Sequence, residues 1–136
     1  MLISTAALCL ALNVFHEARG EFIPGQYAVA LVTLNRAEQD PAKVCDVVFA
    51  RNQFSWTKDV KLTKQGWEIP AHLINPTNKE PEAWARAWRI AQWTLAGNMP
   101  DLTQGAKFYH AKRVKPVWRM AMTKVKTLGD HIFYRA

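Results

Sequence analysis

The N-terminal stretch from Met1 to Val14 is almost wholly apolar, and it leads within a few residues into the charged segment HEARGE. Apolar side chains in it recur at spacings of three and four residues, the period that places them on one face of an α-helix. Glu17 continues this spacing. We therefore predict a buried helix that begins near Thr5, ends at Gly20 and carries a carboxylate in its last turn.

This position would give the Glu17 carboxyl an unusual environment. Burial disfavours the charged carboxylate, and the negative end of the helix dipole disfavours it again, so both effects raise its pKa. A carboxyl that keeps its proton near neutral pH can act as a general acid. The alternative is an ordinary surface glutamate at a frayed helix end. Arg19 would oppose the rise in pKa if its guanidinium folded back on Glu17.

The pair His16 and Glu17 also suggests a metalloprotease-type zinc site, but that motif needs a second histidine four residues after the first. Position 20 is a glycine and there is no Cys/His cluster, so we predict neither a metal nor another cofactor. Glu21 is a candidate second carboxylate. Because Gly20 is expected to break the helix, two interpretations of Glu21 stay open: a solvated turn residue, or a helper that orients Glu17.

The length of 136 residues and the apolar fraction of 49% indicate one globular domain, residues 1–136. Further helices are expected at about 24–36, 41–48 and 81–96, where proline or glycine marks the ends of periodic segments. Residues 50–80 are predicted to be irregular. The C-terminal KVKTLGDHIFYRA has the alternation and the Gly-Asp turn of a β-hairpin. The predicted fold class is α+β, mainly helical with a small C-terminal hairpin.

Cys9 and Cys45 are the only cysteines, and both lie in apolar surroundings. We predict buried, reduced thiols in preference to a disulfide. The apolar N-terminal segment lacks the preceding lysine or arginine of a secretory signal and is too short to span a membrane. It is therefore expected to be part of the domain, without stable membrane insertion, and a weak or uncleaved export signal is the alternative.

The net charge of +7 and the pI near 9.7 favour a polyanionic partner: nucleic acid, a membrane surface or the bacterial envelope. A small nucleic-acid-binding module would suit the charge and the aromatic content. The basic residues are spread along the chain, however, and no recognition helix, zinc finger or RNA-binding signature is visible. We therefore expect no nucleic-acid partner.

The blocks ALNVFHEARGE, QYAVALVTLNRA, VCDVVFARNQFSW, GAKFYHA and GDHIFYRA occur in the order and approximate spacing of a known family. The chain resembles the cell-wall hydrolases of the spore-cortex-lytic (SleB/CwlJ-like) type, which are also found among phage endolysins. The resemblance implies a lysozyme-like α+β domain with a glycan cleft that acts on peptidoglycan, and it implies that Glu17 is the catalytic acid. The stretch between Thr57 and Pro81 departs from the family pattern by being longer and more basic.

With Glu17 as a single acid, the expected reaction is that of a lytic transglycosylase. The acid protonates the oxygen of the β-1,4 bond between N-acetylmuramic acid (MurNAc) and N-acetylglucosamine (GlcNAc). The MurNAc 6-hydroxyl then captures the oxocarbenium-like species as a 1,6-anhydro product. A muramidase of lysozyme type would need a second carboxylate to serve water, for which Glu21 is the evident candidate. A catalytically inactive glycan-binding protein is a third alternative.

Further residues are candidate substrate ligands because they combine hydrogen-bonding groups with aromatic faces on which sugars pack. Phe54 and Trp56 could equally belong to the core. Tyr109 and His110 lie in the segment AKFYHA, which is expected to be extended, and His131 lies on the terminal hairpin. The full set is Gln53, Phe54, Ser55, Trp56, Tyr109, His110 and His131.

Together with the resemblance, these features predict a phage-type endolysin. We expect it to be made in a bacterial host cytoplasm without a clear signal peptide, to be released by a partner such as a holin, and to act in the periplasm or cell wall. It is expected to work as a monomer on the glycan strands of peptidoglycan.

Overall fold

A computed structural model describes residues 1–50 and 53–136 of the chain. The α-helices in this part are Ala6–Ala18 (α1), Ile23–Arg36 (α2), Val44–Val48 (α3), Ala71–Lys79 (α4) and Pro81–Leu95 (α5). The strands are Leu2–Ile3 (β1), Lys61–Thr63 (β2), Gly66–Glu68 (β3), Phe108–Ala111 (β4), Thr123–Leu128 (β5) and His131–Arg135 (β6). They form two antiparallel sheets, in the orders β1-β3-β2 and β4-β6-β5. The predicted α+β class is confirmed.

The first helix, α1, lies at the centre of the domain, in contact with α2, α3 and α5. Its N-terminus is capped by Thr5, whose side-chain oxygen accepts the backbone N–H of Leu8 at 3.3 Å. Every residue from Cys9 to Phe15 is buried, so this helix is enclosed on all sides and not only along one stripe. Because α1 is enclosed in this way, its last turn holds Glu17 half-buried at the edge of the core.

The helices predicted from the sequence are confirmed, with small shifts of their ends. The first ends at Ala18, two residues before the predicted Gly20, and α2 begins at Ile23 with Pro24 in its first turn. The helix predicted at 41–48 is a short 3-10 turn followed by α3. No helix in the described part of the chain is both long and apolar enough to cross a membrane.

The prediction that residues 50–80 are irregular is wrong. The described part of this region forms β2, β3 and α4, and β3 also pairs with the N-terminal strand, placing Ile3 opposite Trp67. Two features explain why these elements are not predicted from the sequence. Strands β2 and β3 are only three residues long, and Pro76 lies inside α4, although proline ordinarily ends a helix. Arg51 and Asn52, which belong to the block VCDVVFARNQFSW, lie outside the described residues.

The prediction of reduced thiols is also wrong. Cys9 of α1 and Cys45 of α3 form a disulfide, with 5.3 Å between their Cα atoms. The two helices pack directly on each other, and this brings together cysteines that are 36 residues apart in sequence. The prediction failed because neither the composition nor the spacing of the cysteines shows that α3 packs on α1.

Candidate active site

Glu17 lies in the last turn of α1, where its side chain meets β4. The hydroxyl of Tyr109 donates a hydrogen bond to Oε1 of Glu17 at 2.8 Å. No residue in the described ranges bonds to Oε2. Burial raises the pKa of the Glu17 carboxyl, and the Tyr109 hydrogen bond acts against that rise without cancelling it. The predicted direction of the pKa shift is confirmed, and Oε2 is the oxygen available to carry the proton.

The Arg19 guanidinium does not fold back on Glu17. Its Nε donates to Oε2 of Glu80 at 3.0 Å, and its cationic carbon lies 4.5 Å from the centre of the Phe15 ring. Arg19 therefore packs along the outside of α1, and the pKa of Glu17 is left to burial and Tyr109.

The second sheet holds Tyr109 in place. In β4, Tyr109 pairs with Phe133 of β6, and the centres of the two rings are 5.5 Å apart. The Tyr109 ring also meets His131 edge-on at 5.1 Å and lies 6.4 Å from the ring of Phe54. Burial and the neighbouring Glu17 carboxylate hold the pKa of the Tyr109 hydroxyl well above its usual range. The hydroxyl therefore stays protonated and remains a donor.

His110, the next residue of β4, uses both ring nitrogens inside the protein. Nδ1 lies 2.8 Å from the backbone oxygen of Ala111, and Nε2 lies 2.8 Å from the hydroxyl of Tyr134. A carbonyl oxygen only accepts, so Nδ1 carries the proton and the Tyr134 hydroxyl donates to Nε2 when the ring is neutral. His110 thus supports the wall of the site and offers a substrate its ring rather than a free nitrogen.

Glu21 fastens the end of α1 to the hairpin turn between β5 and β6. Its Oε1 accepts the backbone N–H of Asp130 at 2.9 Å and lies 3.1 Å from Nδ1 of His131. Gly129 adopts a positive φ of 57° at this turn, and a Cβ there would come within 3.1 Å of Glu21 Oε1. The side chain of Glu21 is only 13% exposed, so the interpretation of a solvated turn residue is wrong.

His131 is held beside Glu21 without an aligned hydrogen bond from Nδ1. Burial lowers the pKa of the His131 imidazole, while the nearby carboxylates of Glu21 and Asp130 act in the opposite direction. The contact with Glu21 becomes a full ion pair only when the ring is protonated, which burial makes harder.

Two adjoining cavities, of about 490 and 520 Å³, form a cleft with Glu17 at their junction. The residues common to both are Glu17, Tyr109, His110 and Val114. The cavity that we call the aromatic arm is further lined by Gln53, Phe54, Phe108 and Trp118. The other, the histidine arm, is further lined by His16, Glu21 and His131. Cavities of this size are in the usual range of small-ligand sites.

The cleft brings together five of the predicted substrate ligands, which are Gln53, Phe54, Tyr109, His110 and His131. Phe54 is buried and packs on Tyr109, so it belongs partly to the core. Ser55 is exposed and lines a separate cavity with Lys58 and Val60, away from Glu17.

The sequence left two roles open for Trp56, a sugar-binding face or a part of the core, and its contacts are those of a core-packing residue. Its indole N–H donates to Oδ1 of Asn13 at 3.0 Å, and its ring stacks on His16 with 4.5 Å between ring centres. Asn13 is fully buried and in turn donates to the hydroxyl of Thr33 at 3.3 Å. These hydrogen bonds join α1 to α2 behind the cleft. Nε2 of His16 lies 2.9 Å from the backbone oxygen of Leu73, which holds the ring in place.

The basic residues of the aromatic arm, Arg36 and Lys107, were not predicted from the sequence. Asn35 secures the end of α2 through bonds to Asp101 and the backbone of Ala106. Arg36 instead enters the cleft beside Lys107. The available signal was a cation at the end of an otherwise buried helix. Within residues 1–50 and 53–136, no three His, Cys, Asp or Glu side chains lie close enough to hold a metal ion.

The domain is thus a mainly helical α+β fold with the half-buried carboxyl of Glu17 at the middle of a cleft. Residues 20–134 match the family described as Cell Wall Hydrolase, and the chain belongs to that family. The matched range begins three residues after Glu17, so the match itself carries no information on the acid.

Comparison with individual proteins agrees with this assignment. Over 126 residues, the chain is 30% identical to the spore cortex-lytic enzyme of Oceanobacillus iheyensis. The aligned region covers 91% of this chain but only 39% of that protein. The catalytic domain of the germination-specific lytic transglycosylase SleB from Bacillus anthracis superposes with a TM-score of 0.65 at 24% identity, covering 96% of this chain and 93% of that one. The SleB catalytic domain of Bacillus cereus gives a TM-score of 0.58 at 26% identity, covering 96% and 90%. The expected lysozyme-like fold is confirmed.

Proposed function

We propose that this protein is a peptidoglycan-cleaving glycosidase with Glu17 as its general acid. It cuts the β-1,4 bond between MurNAc and GlcNAc as a lytic transglycosylase and leaves 1,6-anhydroMurNAc. The observation that carries this proposal is the Glu17 carboxyl itself: it is half-buried, its pKa is raised, and it lies where the two arms of the cleft meet. The similarity to a spore cortex-lytic enzyme and to a germination-specific lytic transglycosylase supports the same substrate.

The reaction needs only the two oxygens of Glu17 and the substrate. Protonated Oε2 gives its proton to the glycosidic oxygen, and the bond to MurNAc C1 breaks. The MurNAc 6-hydroxyl attacks C1 and returns its proton to Glu17, so no water is consumed. Because the 6-hydroxyl is already held beside C1, its effective concentration far exceeds that of a free nucleophile. Tyr109 can donate to Oε1 in both protonation states and so fixes which oxygen carries the proton.

A muramidase is the second candidate, because Glu21 lines the same arm as Glu17. The contacts of Glu21 favour a positioning role, since its Oε1 is occupied by the N–H of Asp130 and lies against His131. A carboxylate that activates water needs an oxygen turned toward the anomeric carbon. We therefore assign Glu21 to holding the hairpin turn beside the cleft.

The product ends distinguish these reactions. Mass spectrometry of digested peptidoglycan is expected to find anhydro-MurNAc ends, lighter than the hydrolysis product by one water. Reducing MurNAc ends would identify a muramidase, and reducing GlcNAc ends would move the cut to the other bond. Cleaved stem peptides with intact glycan would contradict the glycosidase proposal altogether.

The proposed setting of the activity is host lysis by a phage-type endolysin. The protein is made in the bacterial cytoplasm, passes to the periplasm or wall with the help of a holin, and acts there as a monomeric single domain. The segment from Met1 to Val14 forms β1 and most of α1, so this segment is part of the domain. Expression in a bacterial host with and without a co-expressed holin tests the setting: lysis is expected only with the holin, and equal lysis without it would contradict this role.

A further inference from the structure

A third cavity of about 470 Å³ opens off the aromatic arm of the cleft. It shares Arg36, Lys107 and Phe108 with that arm. Its other wall comes from the segment that includes α3, with Lys43, Asp46 and Val47. We call this cavity the side pocket. Since the side pocket and the aromatic arm share these residues, a substituent on a sugar bound in the aromatic arm would lie next to the side pocket.

The side pocket has three cations against one carboxylate. Arg36 is half-buried: one NH group donates to the backbone oxygen of Lys107 at 3.0 Å, and the guanidinium lies 5.2 Å from the centre of the Phe108 ring. In the described part of the chain, no carboxylate comes within 4.0 Å of Arg36 or Lys107, and Lys43 has only a 3.8 Å contact with the exposed Glu38.

A half-buried guanidinium without a counterion is unfavourable, because burial removes hydration from a charge that nothing neutralises. Burial accordingly lowers the pKa of Arg36, although the group remains charged. Hydrogen bonding to one carbonyl and packing on Phe108 hold the guanidinium in a fixed position while leaving further N–H donors unused among the described residues. This arrangement suits a carboxylate ligand, which a guanidinium can bind through two parallel hydrogen bonds.

We propose that the side pocket binds the carboxylates of the stem peptide carried by MurNAc. This inference rests on the proposed function. The stem is attached through the lactyl group of MurNAc and projects sideways from the glycan strand, and its second residue, a D-glutamate, has a free carboxylate. The negatively charged stem peptide that projects from the sugar therefore matches the positively charged side pocket beside the cleft. The apolar surfaces of Val47 and Phe108 suit the alanine methyl group of the stem.

The test compares two synthetic tetrasaccharides of alternating GlcNAc and MurNAc. One has stems of L-alanyl-D-glutamate, and the other has the same stems with every carboxylate converted to an amide. Calorimetric binding to the Glu17→Gln variant, which is not expected to cleave either ligand, should give about tenfold tighter binding of the carboxylate form. Equal affinities overturn the inference. Because binding is measured without cleavage, this result is separate from the product analysis that tests the proposed function on the wild type.

Substitutions in the Glu17→Gln background identify the pocket as the source of the preference. Arg36→Gln and Lys107→Gln are expected to remove it, while the exposed control substitutions Arg89→Gln and Lys64→Gln should keep it. Asp46→Asn should strengthen it, since a repelling charge is removed. A damaged fold would not produce changes of both signs, and the exposed side chain of Lys107 gives a second variant should Arg36→Gln fold poorly. Retention of the preference in Lys107→Gln with unchanged melting contradicts the inference.

Discussion

At the scale of single residues, the proposed chemistry depends on the contact between Glu17 and Tyr109. The sequence places Glu17 on a buried helical stripe and so predicts the direction of its pKa shift. It does not predict that Tyr109 is the partner, because the two residues are 92 positions apart and meet only through the packing of β4 on the end of α1. The position of Glu17 on its helix could therefore be predicted from the sequence, and its contact with Tyr109 could not.

Tyr109→Phe keeps the ring packing and removes the hydroxyl. The Tyr109 hydrogen bond is the one influence that lowers the pKa of Glu17, so its loss should raise that pKa further. A general acid works while protonated, and the pH at which kcat/KM begins to fall on the alkaline side should therefore increase. The rate at the optimum should fall about ten- to a hundredfold, as for loss of one hydrogen bond to a charged group. A pH profile that is unmoved, or moved to lower pH, would contradict this role.

Glu17 should also influence stability through its pKa. The folded pKa lies above the unfolded value near 4.5, so the folded protein binds more protons between the two values and loses stability as the pH rises through them. Glu17→Gln retains an acceptor for Tyr109 and carries no charge. Its melting temperature should therefore equal or exceed that of the wild type at pH 7, with the difference vanishing below the unfolded pKa. The melting temperature of Glu17→Gln minus that of the wild type should be larger at pH 7 than at acid pH. A smaller difference at pH 7 than at acid pH would argue against a buried carboxyl.

At the scale of secondary-structure elements, periodicity and capping residues predict α1, α2 and α5, and the Gly129-Asp130 turn predicts the hairpin. The first sheet escapes prediction because β2 and β3 are too short for alternation to be visible. The hairpin also gains a third strand, β4, whose pairing with β6 is what brings Tyr109 to the acid. Which strands pair is a tertiary property, and short strands carry little sequence record of it.

The contact between Glu21 and the hairpin turn can be tested by two substitutions. Glu21→Gln keeps an acceptor for the N–H of Asp130, whereas Glu21→Ala removes it and should cost about 1–2 kcal/mol of stability. If Glu21 only positions the turn, the Gln variant should retain most of kcat and the Ala variant should lose roughly tenfold, mainly in kcat. Steady-state kinetics on soluble glycan strands measures both. Complete loss of cleavage in a normally folded Glu21→Gln variant would instead make Glu21 a second catalytic carboxylate.

At the scale of the whole molecule, the disulfide joins the central helix α1 to α3 and closes a loop between positions 36 residues apart. Two cysteines in apolar surroundings do not reveal whether they are neighbours, since that depends on how α3 packs on α1. A disulfide also agrees with action outside the reducing cytoplasm, where such bonds persist.

Reduction of the Cys9–Cys45 bond should lower the free energy of unfolding by about 2–4 kcal/mol, chiefly because the unfolded chain gains freedom. Thermal or denaturant unfolding with and without a reductant measures the change. Cys45→Ala is the matched variant: its stability should resemble that of the reduced wild type and should not respond to the reductant. Identical unfolding of the oxidised and reduced wild type would contradict a structural role for this bond.

The central claim, that Glu17 is the acid, is tested most directly by the cleavage rate of Glu17→Gln on purified peptidoglycan. The loss should be about a hundred- to ten-thousand-fold, the usual contribution of a general acid, while the melting temperature at neutral pH stays at or above the wild-type value. Arg19→Gln, two residues further along at the C-cap of α1 and paired with Glu80, is the matched control and should clear the wall at close to the wild-type rate. A folded Glu17→Gln protein that clears peptidoglycan as fast as the wild type would show that the acid lies elsewhere.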